Sequence, residues 1–369
     1  MVIIHPNKRM LLLITPDQFG YHTDDYYRAF YARKDFNVHV ISYDHGKEKL
    51  ELNDVEIHYI PYEKKRMKSE IELNKVVRRI IRKYEIDIVY TRFFLSSSLL
   101  KIFNITSGVK WILDIRTGAV FNNKVKRDLY NSIIRISSKL YKNVTIISRS
   151  LANELRIRKY SVVPLGGQPL VDEIEIESVI SNMNFIYVGI FDGRNIEDFI
   201  RAYCKFYRKY SKLINTKLTI VGYSNDPKEE HNICHLINNN QDVHINYVGR
   251  VPNIMLKEYF IDSNIGISYV PITPWFDVQP PTKTFEYIIN GLICLATSTK
   301  ENESIINENN GILVLDNEDS VFDGMEFIFN SRTRYKRSEI MKESRLYSWQ
   351  SIYENSFKEI LNNNLNSVL

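Results

Sequence analysis

Short apolar runs of strand length alternate along the chain with segments whose apolar residues recur at helical spacing. In the first half the runs cover 10–15, 38–42, 56–60, 87–91, 111–116 and 144–148. In the second half they cover 184–189, 218–222, 244–252, 265–271, 292–297 and 310–314. Helical spacing is clearest in 67–84 and 125–142. Ser150 is predicted to cap the helix that follows the run at 144–148. Because strands that alternate with helices build parallel sheets covered on both faces, this pattern predicts an α/β protein with doubly wound sheets.

The length of the chain predicts two domains. With 369 residues, the chain exceeds what one hydrophobic core usually organises, and domains of about 150 to 200 residues are expected. Acidic residues replace the core pattern at about 166–182, where we place the linker. We therefore predict an N-terminal domain over 1–170, a C-terminal domain over 171–345, and a final helix within 346–369 that could pack back on the N-terminal domain.

Composition predicts an ordinary globular protein of the cytoplasm. Hydrophobic residues make up 44% and charged residues 25% of the chain, which is typical of soluble domains. The three cysteines are widely separated, so a disulfide framework is not expected. The apolar run at 10–14 is interpreted as a strand rather than a signal peptide. No apolar run approaches the length of about 18 residues that a membrane-spanning helix requires.

Neither the possible metal ligands nor the net charge of the chain predicts a metal or a nucleic-acid partner. His231, Cys234 and His235 lie close together in the sequence, but no second ligand pair has zinc-like spacing, so no metal is predicted. A net charge of +5 does not by itself indicate a nucleic-acid partner. Basic residues cluster in 64–68, 78–83 and 124–127. These clusters fit either solvated helix faces or a peripheral contact with anionic lipid headgroups.

One stretch, Pro280 to Gly291, combines helix signals with candidate chemistry. Pro281 fits the first position of a helix, and Gly291 fits the left-handed position that follows its end. The helix predicted between them has roughly ten residues. Lys283 and Glu286 are three residues apart and share one face near the helix N-terminus, which attracts anions. The lysine suits a phosphate and the glutamate suits a ribose diol, although the two could also form an ordinary surface ion pair.

This stretch resembles the donor site of the retaining glycosyltransferases of family 4. The resemblance implies the GT-B architecture, in which two Rossmann-like, doubly wound parallel-sheet domains face a central cleft. It implies that Glu286 contacts the ribose of a nucleotide sugar and that Thr282 lies at the helix end facing its diphosphate. The family signature has a second glutamate eight positions earlier, where this chain has Val278. Asp277, one residue out of register, is the remaining carboxylate candidate in that loop.

Further segments extend the resemblance over about residues 10–360. Residues 190–199 resemble the strand-loop-helix that holds the diphosphate, and Arg194 matches its arginine. No lysine follows at the usual spacing, so Lys283 would supply the second cation; alternatively, Arg194 is a surface charge at a helix start. Gly189 ends the first strand of this domain and is a further candidate for binding the nucleotide sugar. The residues implied to flank the nucleobase are Gly249, Arg250 and Val251.

The N-terminal half contains two loops at the carboxyl ends of strands, where open α/β sheets bind ligands. The loop 17–22 lacks a G-x-G-x-x-G pattern, so a tightly held dinucleotide is not expected there. Asp114 and Arg116 directly follow another apolar run, at a position that resembles the acceptor side of the family. Asp114 is therefore a candidate site residue, with a buried Asp–Arg pair that holds two loops as the alternative. His22 is a further candidate.

The function implied is hexosyl transfer from a nucleotide diphosphate sugar to a hydroxyl, with retention at the anomeric carbon. Surface polysaccharide, capsule or glycoconjugate synthesis is the implied setting, with a saccharide or a lipid-linked saccharide as acceptor and no cofactor. No paired carboxylates of the glycosidase type are present. Two alternatives remain: a nucleotide-sugar epimerase that uses Asp114, His22 or Asp277, and a non-catalytic subunit that binds a sugar or a partner enzyme.

Overall fold

The structure, a computed structural model, describes residues 5–63, 66–105, 108–172, 180–251 and 255–366. It divides into two compact units. Unit 1 comprises Met1–Leu165 and Trp349–Leu369, and unit 2 comprises Gly166–Ser348. The divisions therefore fall at 165/166 and 348/349, a few residues from the predicted 170/171 and 345/346. The basic residues Lys64 and Lys65 of the first predicted cluster lie outside the described residues.

The described residues of unit 1 form one parallel sheet of seven strands. The strands are β1 (Arg9–Thr15), β2 (Phe36–Asp44), β3 (Val55–Pro61), β4 (Ile88–Arg92), β5 (Lys110–Ile115), β6 (Asn143–Ile146) and β7 (Ser161–Val162). The helices are α1 (Thr23–Ala32), α2 (Arg66–Lys83), α3 (Ser97–Phe103), α4 (Lys124–Leu140) and α5 (Arg149–Glu154). The strand order is β3-β2-β1-β4-β5-β6-β7. The strands after β1 are first added on one side of it (β2, β3) and then, from β4 onward, on its other side. Ligands of such sheets bind at this reversal of strand order between β1 and β4.

Unit 2 repeats this architecture with six parallel strands. They are β8 (Met183–Ile190), β9 (Thr216–Tyr223), β10 (Ile245–Gly249), β11 (Ile265–Ser268), β12 (Ile293–Thr297) and β13 (Gly311–Val314). The helices are α6 (Glu197–Tyr210), α7 (Pro227–Asn238), α8 (Leu256–Ile261), α9 (Thr282–Ile289), α10 (Lys300–Glu303), α11 (Glu318–Ser331) and α12 (Arg337–Ser344). The order β10-β9-β8-β11-β12-β13 places the reversal between β8 and β11. The predicted α/β fold with two doubly wound parallel sheets is confirmed.

The C-terminal segment belongs to unit 1. It runs through α13 (Trp349–Ile352), a π-helical turn (Tyr353–Phe357) and α14 (Lys358–Asn366). The ring of Phe357 meets that of Tyr90 edge-on at 4.9 Å. Asp35 accepts hydrogen bonds from Tyr353 Oη at 2.8 Å and from Lys358 Nζ at 2.7 Å. Although burial opposes it, these hydrogen bonds lower the pKa of Asp35.

Two helix starts differ from the prediction. Helix α5 begins at Arg149, and its cap is Ser148, whose Oγ accepts from the Leu151 N–H at 3.1 Å; the predicted cap, Ser150, already lies inside the helix. Helix α9 begins at Thr282, and Pro281 is its N-cap with an extended backbone, rather than its first residue. In both cases the extended residue directly before the first helical turn is the cap. None of the helices in the described part of the chain has the length and apolar content needed to cross a bilayer.

Candidate functional site

Helix α9 is fixed to the centre of the unit 2 sheet by Tyr287. The Tyr287 hydroxyl accepts a hydrogen bond from the Val188 N–H of β8 at 2.8 Å. Its ring covers Gly266 of β11, where an added Cβ would lie 2.3 Å from the ring. Gly291 has φ +73°, and the Leu292 N–H bonds back to the Tyr287 carbonyl at 3.0 Å, which closes the helix with the predicted left-handed glycine. This packing holds the first turn of α9 at the carboxyl end of the sheet.

Lys283 and Glu286 lie on that first turn and form an ion pair. The Glu286 side chain is 7% exposed and that of Lys283 is 26% exposed. The backbone of Gly167 packs against Glu286, since an added Cβ at Gly167 would lie 3.0 Å from the Glu286 Cα. The pair is therefore more enclosed than an ordinary surface ion pair, and the backbone of Glu286 lies against that of Gly167.

Arg194 lies in the loop that follows β8. Its guanidinium stacks over the Phe276 ring at 4.5 Å, in the segment that follows β11. Burial lowers the pKa of Arg194, and no carboxylate of the described residues forms an ion pair with it. The loop itself is held by Asp192, which accepts from the Asn225 N–H at 2.8 Å and from Asn225 Nδ2 at 2.6 Å. A half-buried cation without a carboxylate partner suits an anionic ligand.

Asp277 lies in the loop before α9. Its carboxylate accepts from the Lys300 N–H at 2.9 Å and lies 2.7 Å from Lys300 Nζ. These contacts hold the loop against the start of α10, and contact of Asp277 with a sugar stays a prediction. Val278 beside it is buried.

The residues expected to flank a nucleobase lie at the end of β10, and the candidate Gly189 lies near the end of β8. Gly249 has φ +78°, and no atom of the described residues lies within 4 Å of an added Cβ, so the described surroundings leave its backbone open to a flat ligand. The Arg250 guanidinium lies 4.7 Å from the Tyr223 ring centre, while Val251 is half-buried. Gly189 is half-buried too, and its carbonyl oxygen would lie 2.0 Å from a Cβ at Gly222. Gly222 is therefore required for the approach of β8 and β9, which sequence analysis did not identify.

Asp114 of unit 1 is fully buried in a network of ion pairs. Its carboxylate accepts from Arg28 Nη1 at 2.5 Å and from Thr145 Oγ1 at 2.8 Å. Arg116 lies 3.4 Å from the same carboxylate. Burial raises the pKa of Asp114 and the Arg28 charge opposes this rise. Asp114 is 0% exposed and pairs with two arginines, as the buried-pair alternative expects, while contact of Asp114 with a substrate stays a prediction.

A second group of charges lies at the reversal between β1 and β4. Arg92 ends β4 and forms ion pairs with Asp17 at 2.6 Å and Asp25 at 3.1 Å. His22 Nε2 lies 3.3 Å from Asp17, and the side chains of His22 and Asp17 are 48% and 35% exposed. Sequence analysis missed Arg92, Asp25 and Arg28, although an arginine at the end of an apolar strand was a usable signal.

The comparisons with known proteins agree with this architecture. Residues 10–150 match the family model described as "Glycosyl transferase 4-like". A sucrose-phosphate synthase from Thermosynechococcus elongatus is similar in structure with a TM-score of 0.76 and 14% identity, covering 98% of this chain and 100% of that chain. A glycosyltransferase from Rickettsia africae ESF-5 has a TM-score of 0.74 and 18% identity, covering 98% and 99%. No curated protein sequence matches the chain.

A third similar structure is Anabaena Alr3699/HepE in complex with UDP and glucose. Its TM-score is 0.71 and its identity 10%, covering 96% of this chain and 99% of that chain. The fold is thus that of the GT-B glycosyltransferases, as predicted. The match to a glycosyltransferase family model is confined to residues 10–150 of unit 1.

Proposed function

We propose that the protein transfers a hexosyl group from a nucleotide diphosphate sugar to a hydroxyl of a saccharide or lipid-linked saccharide, with retention, in surface polysaccharide or glycoconjugate synthesis. Arg194 carries the proposal, because a half-buried cation without a carboxylate partner among the described residues is placed near the loop before α9. The helix N-terminus at Thr282 adds positive potential at the same end of the sheet, and Lys283 lies on that first turn, where it is paired with Glu286.

The chemistry proposed needs charge stabilisation rather than a carboxylate nucleophile. The bond between the anomeric carbon and the phosphate oxygen breaks, and the acceptor oxygen bonds to that carbon on the same face. The acceptor proton passes to the departing phosphate oxygen. Arg194 and Lys283 stabilise the charge that develops on the diphosphate, while Glu286 binds the ribose. Lys283 must then exchange its contact with Glu286 for one with phosphate.

Nucleotide titration tests the donor site. We expect calorimetry to show selective binding of one among UDP, GDP, ADP and CMP, and a loss of at least tenfold in affinity for Glu286→Ala. Glu339→Ala is the matched control, because Lys336 and Glu339 have the same spacing but are 63% and 60% exposed and 2.9 Å apart. Its affinity should equal that of the wild type. If the wild type binds none of these nucleotides, the non-catalytic alternative replaces this proposal.

Lys283→Ala separates binding from catalysis. Loss of one preorganised cation should lower turnover about a hundredfold to a thousandfold at saturating donor. Unchanged turnover would remove the role proposed for Lys283. Conversion of the donor without any acceptor would instead favour an epimerase.

Unit 1 offers a surface for a lipid-linked acceptor. Helices α3 and α4 are joined by Lys101 Nζ, which donates to the Leu140 carbonyl at 2.5 Å. Between them they expose seven apolar side chains, here called the apolar patch: Leu99, Ile102, Phe103, Val125, Leu129, Ile136 and Leu140. Their exposure ranges from 46% to 75%. Helix α4 carries five basic residues and one acidic residue, so apolar and basic side chains occur on the same helix.

This combination suits the surface of an anionic bilayer, in which apolar side chains enter the interface and lysines face the headgroups. Helix α4 taken alone would be a solvated basic helix, whereas α3 carries a single basic residue, Lys101. The apolar patch lies on both of these helices, which are in contact through Lys101 and Leu140, and exposed apolar patches mark interaction sites. We therefore propose peripheral attachment at the inner face of the membrane.

Vesicle flotation tests the attachment. Wild-type protein should float with phosphatidylcholine vesicles that contain phosphatidylglycerol, and binding should weaken as salt is raised. The double variant Leu129→Gln/Ile136→Gln should lose at least tenfold in binding. Leu213→Gln, at a residue that is 73% exposed in unit 2, is the control and should float as the wild type does. Equal binding by both variants, or no flotation of the wild type at low salt, would contradict the proposal.

A further inference from the structure

Three metal-ligating side chains converge on the edge of the unit 1 sheet. His39 lies on β2, and Glu56 and His58 lie on β3. In the parallel register, His39 is paired with Glu56, and Glu56 and His58 are two residues apart, so both point to one face of the sheet. One ligand atom from each of the three residues lies within 4.8 Å of the others. This cluster is separate from the ion-pair network around Asp114.

The distances match one face of a zinc tetrahedron. His39 Nδ1 lies 3.3 Å from His58 Nε2 and 3.5 Å from Glu56 Oε2, and His58 Nε2 lies 3.7 Å from Glu56 Oε1. Zinc bonds of about 2.0–2.2 Å in a tetrahedron place the ligand atoms about 3.3–3.6 Å apart. Two imidazoles and one carboxylate are also a donor set that zinc uses. The two Glu56 distances involve different carboxylate oxygens. A small rotation of the Glu56 carboxylate would bring one oxygen close to both histidine nitrogens.

The surroundings orient the carboxylate. Tyr84 Oη donates to Glu56 Oε1 at 2.8 Å, and the Tyr84 ring lies 4.2 Å from that of His39. Such outer hydrogen bonds fix the ligands of metal sites. The His39 side chain is 2% exposed, whereas those of His58 and Glu56 are 18% and 31% exposed. The cluster therefore has a buried base and an open side through which an ion and a water ligand can enter.

Positive charges from α2 oppose a cation at this position. Lys83 Nζ lies 2.8 Å from Tyr84 Oη, and the Arg79 charge acts on His58. The Glu56 carboxylate offsets part of this charge, and both cations belong to long side chains on an exposed helix face, where solvent screens them.

We propose that His39, Glu56 and His58 form a zinc site that ties the edge strand β3 to β2. The site is structural or regulatory, because its ligands lie within the strands and not in the loops at their carboxyl ends. Zinc bound there stabilises unit 1, since an ion that binds only the folded state shifts the folding equilibrium.

Calorimetric titration of ZnCl₂ into chelator-treated, full-length protein tests the site. We expect one zinc per chain in the wild type, a loss of at least tenfold in affinity for His58→Gln and for Glu56→Gln, and a loss of about tenfold for Tyr84→Phe. His39 is part of the core, so the substitutions are made at the two partly exposed ligands. Circular dichroism and thermal unfolding without zinc establish that each variant is folded.

The control is His231→Ala/His235→Ala, which removes a pair of histidines one helical turn apart on α7. Such a pair can bind zinc weakly by itself. This variant should keep the one-to-one site and its zinc-dependent rise in melting temperature. Cobalt(II) should give the visible absorption of a tetrahedral complex in the control and not in His58→Gln. The proposal is overturned if the wild type binds no zinc, or if binding survives His58→Gln and disappears in the α7 variant.

Discussion

Asp114→Asn is expected to destabilise unit 1 strongly. The carboxylate is 0% exposed. It accepts hydrogen bonds from Arg28 Nη1 at 2.5 Å and from Thr145 Oγ1 at 2.8 Å. Neutralising it leaves the Arg28 guanidinium charged and buried, with Nε and Nη2 already lacking hydrogen-bond partners among the described residues. Arg116 retains its ion pair with Asp24 at 2.5 Å. Only Arg28 of the two arginines beside Asp114 therefore loses its carboxylate partner.

The magnitude follows from that single orphaned charge. Removing one partner of a buried ion pair costs about 3–5 kcal/mol. Neutralising an exposed pair costs about 0–1 kcal/mol, and Glu72→Gln is the matched case in unit 1, because Glu72 and Lys75 are 50% and 70% exposed at 3.8 Å. Adding Arg28→Met to Asp114→Asn should recover part of the loss, since it removes the unpaired charge.

Urea unfolding followed by tryptophan fluorescence measures these differences. The chain has three tryptophans, and in a Trp275→Phe background the remaining two, Trp111 and Trp349, both report on unit 1. Asp114→Asn should move the midpoint far more than Glu72→Gln, at similar slopes. If the two variants have equal midpoints, the buried-pair interpretation is wrong and Asp114 returns as a candidate for direct substrate contact.

Two further predictions follow from packing and from charge. Gly222→Ala should lower the free energy of unfolding by about 1–3 kcal/mol, because the new Cβ would lie 2.0 Å from the Gly189 carbonyl oxygen. Thermal unfolding measures this difference. A change below about 0.5 kcal/mol would show that β8 and β9 can separate at no cost. The Asp35 carboxylate stabilises the folded protein through its hydrogen bond from Lys358, and this lowers the pKa of Asp35 in the folded state. The stabilisation is fully present above the pKa that Asp35 has in the unfolded chain. It is lost as the pH falls through the lowered pKa of the folded state. The difference in unfolding free energy between the wild type and Asp35→Asn should therefore be constant near neutral pH and shrink in acid; a difference independent of pH would contradict the assignment.

Local rules were sufficient for the elements of the fold. Apolar runs of strand length became the parallel strands, because a strand buried on both faces is apolar throughout. The segment from Pro280 to Gly291 became a helix with a left-handed glycine at its end, since proline and glycine act on the backbone directly. The cap of α5 was predicted at Ser150 and lies at Ser148, two residues earlier. Both residues are serines with a similar capping propensity, and the cap is the one whose backbone is extended.

The site required the tertiary structure. Lys283 and Glu286 were found in the sequence because they lie on one helical turn, and Arg194 because it follows a strand at a glycine turn. What sequence alone did not determine was the burial of Asp114, the engagement of Asp277 by Lys300, and the meeting of His39 with Glu56 and His58. These depend on which strands become neighbours, and contacts between residues far apart in the chain are set by the packing of the whole sheet rather than by local propensity.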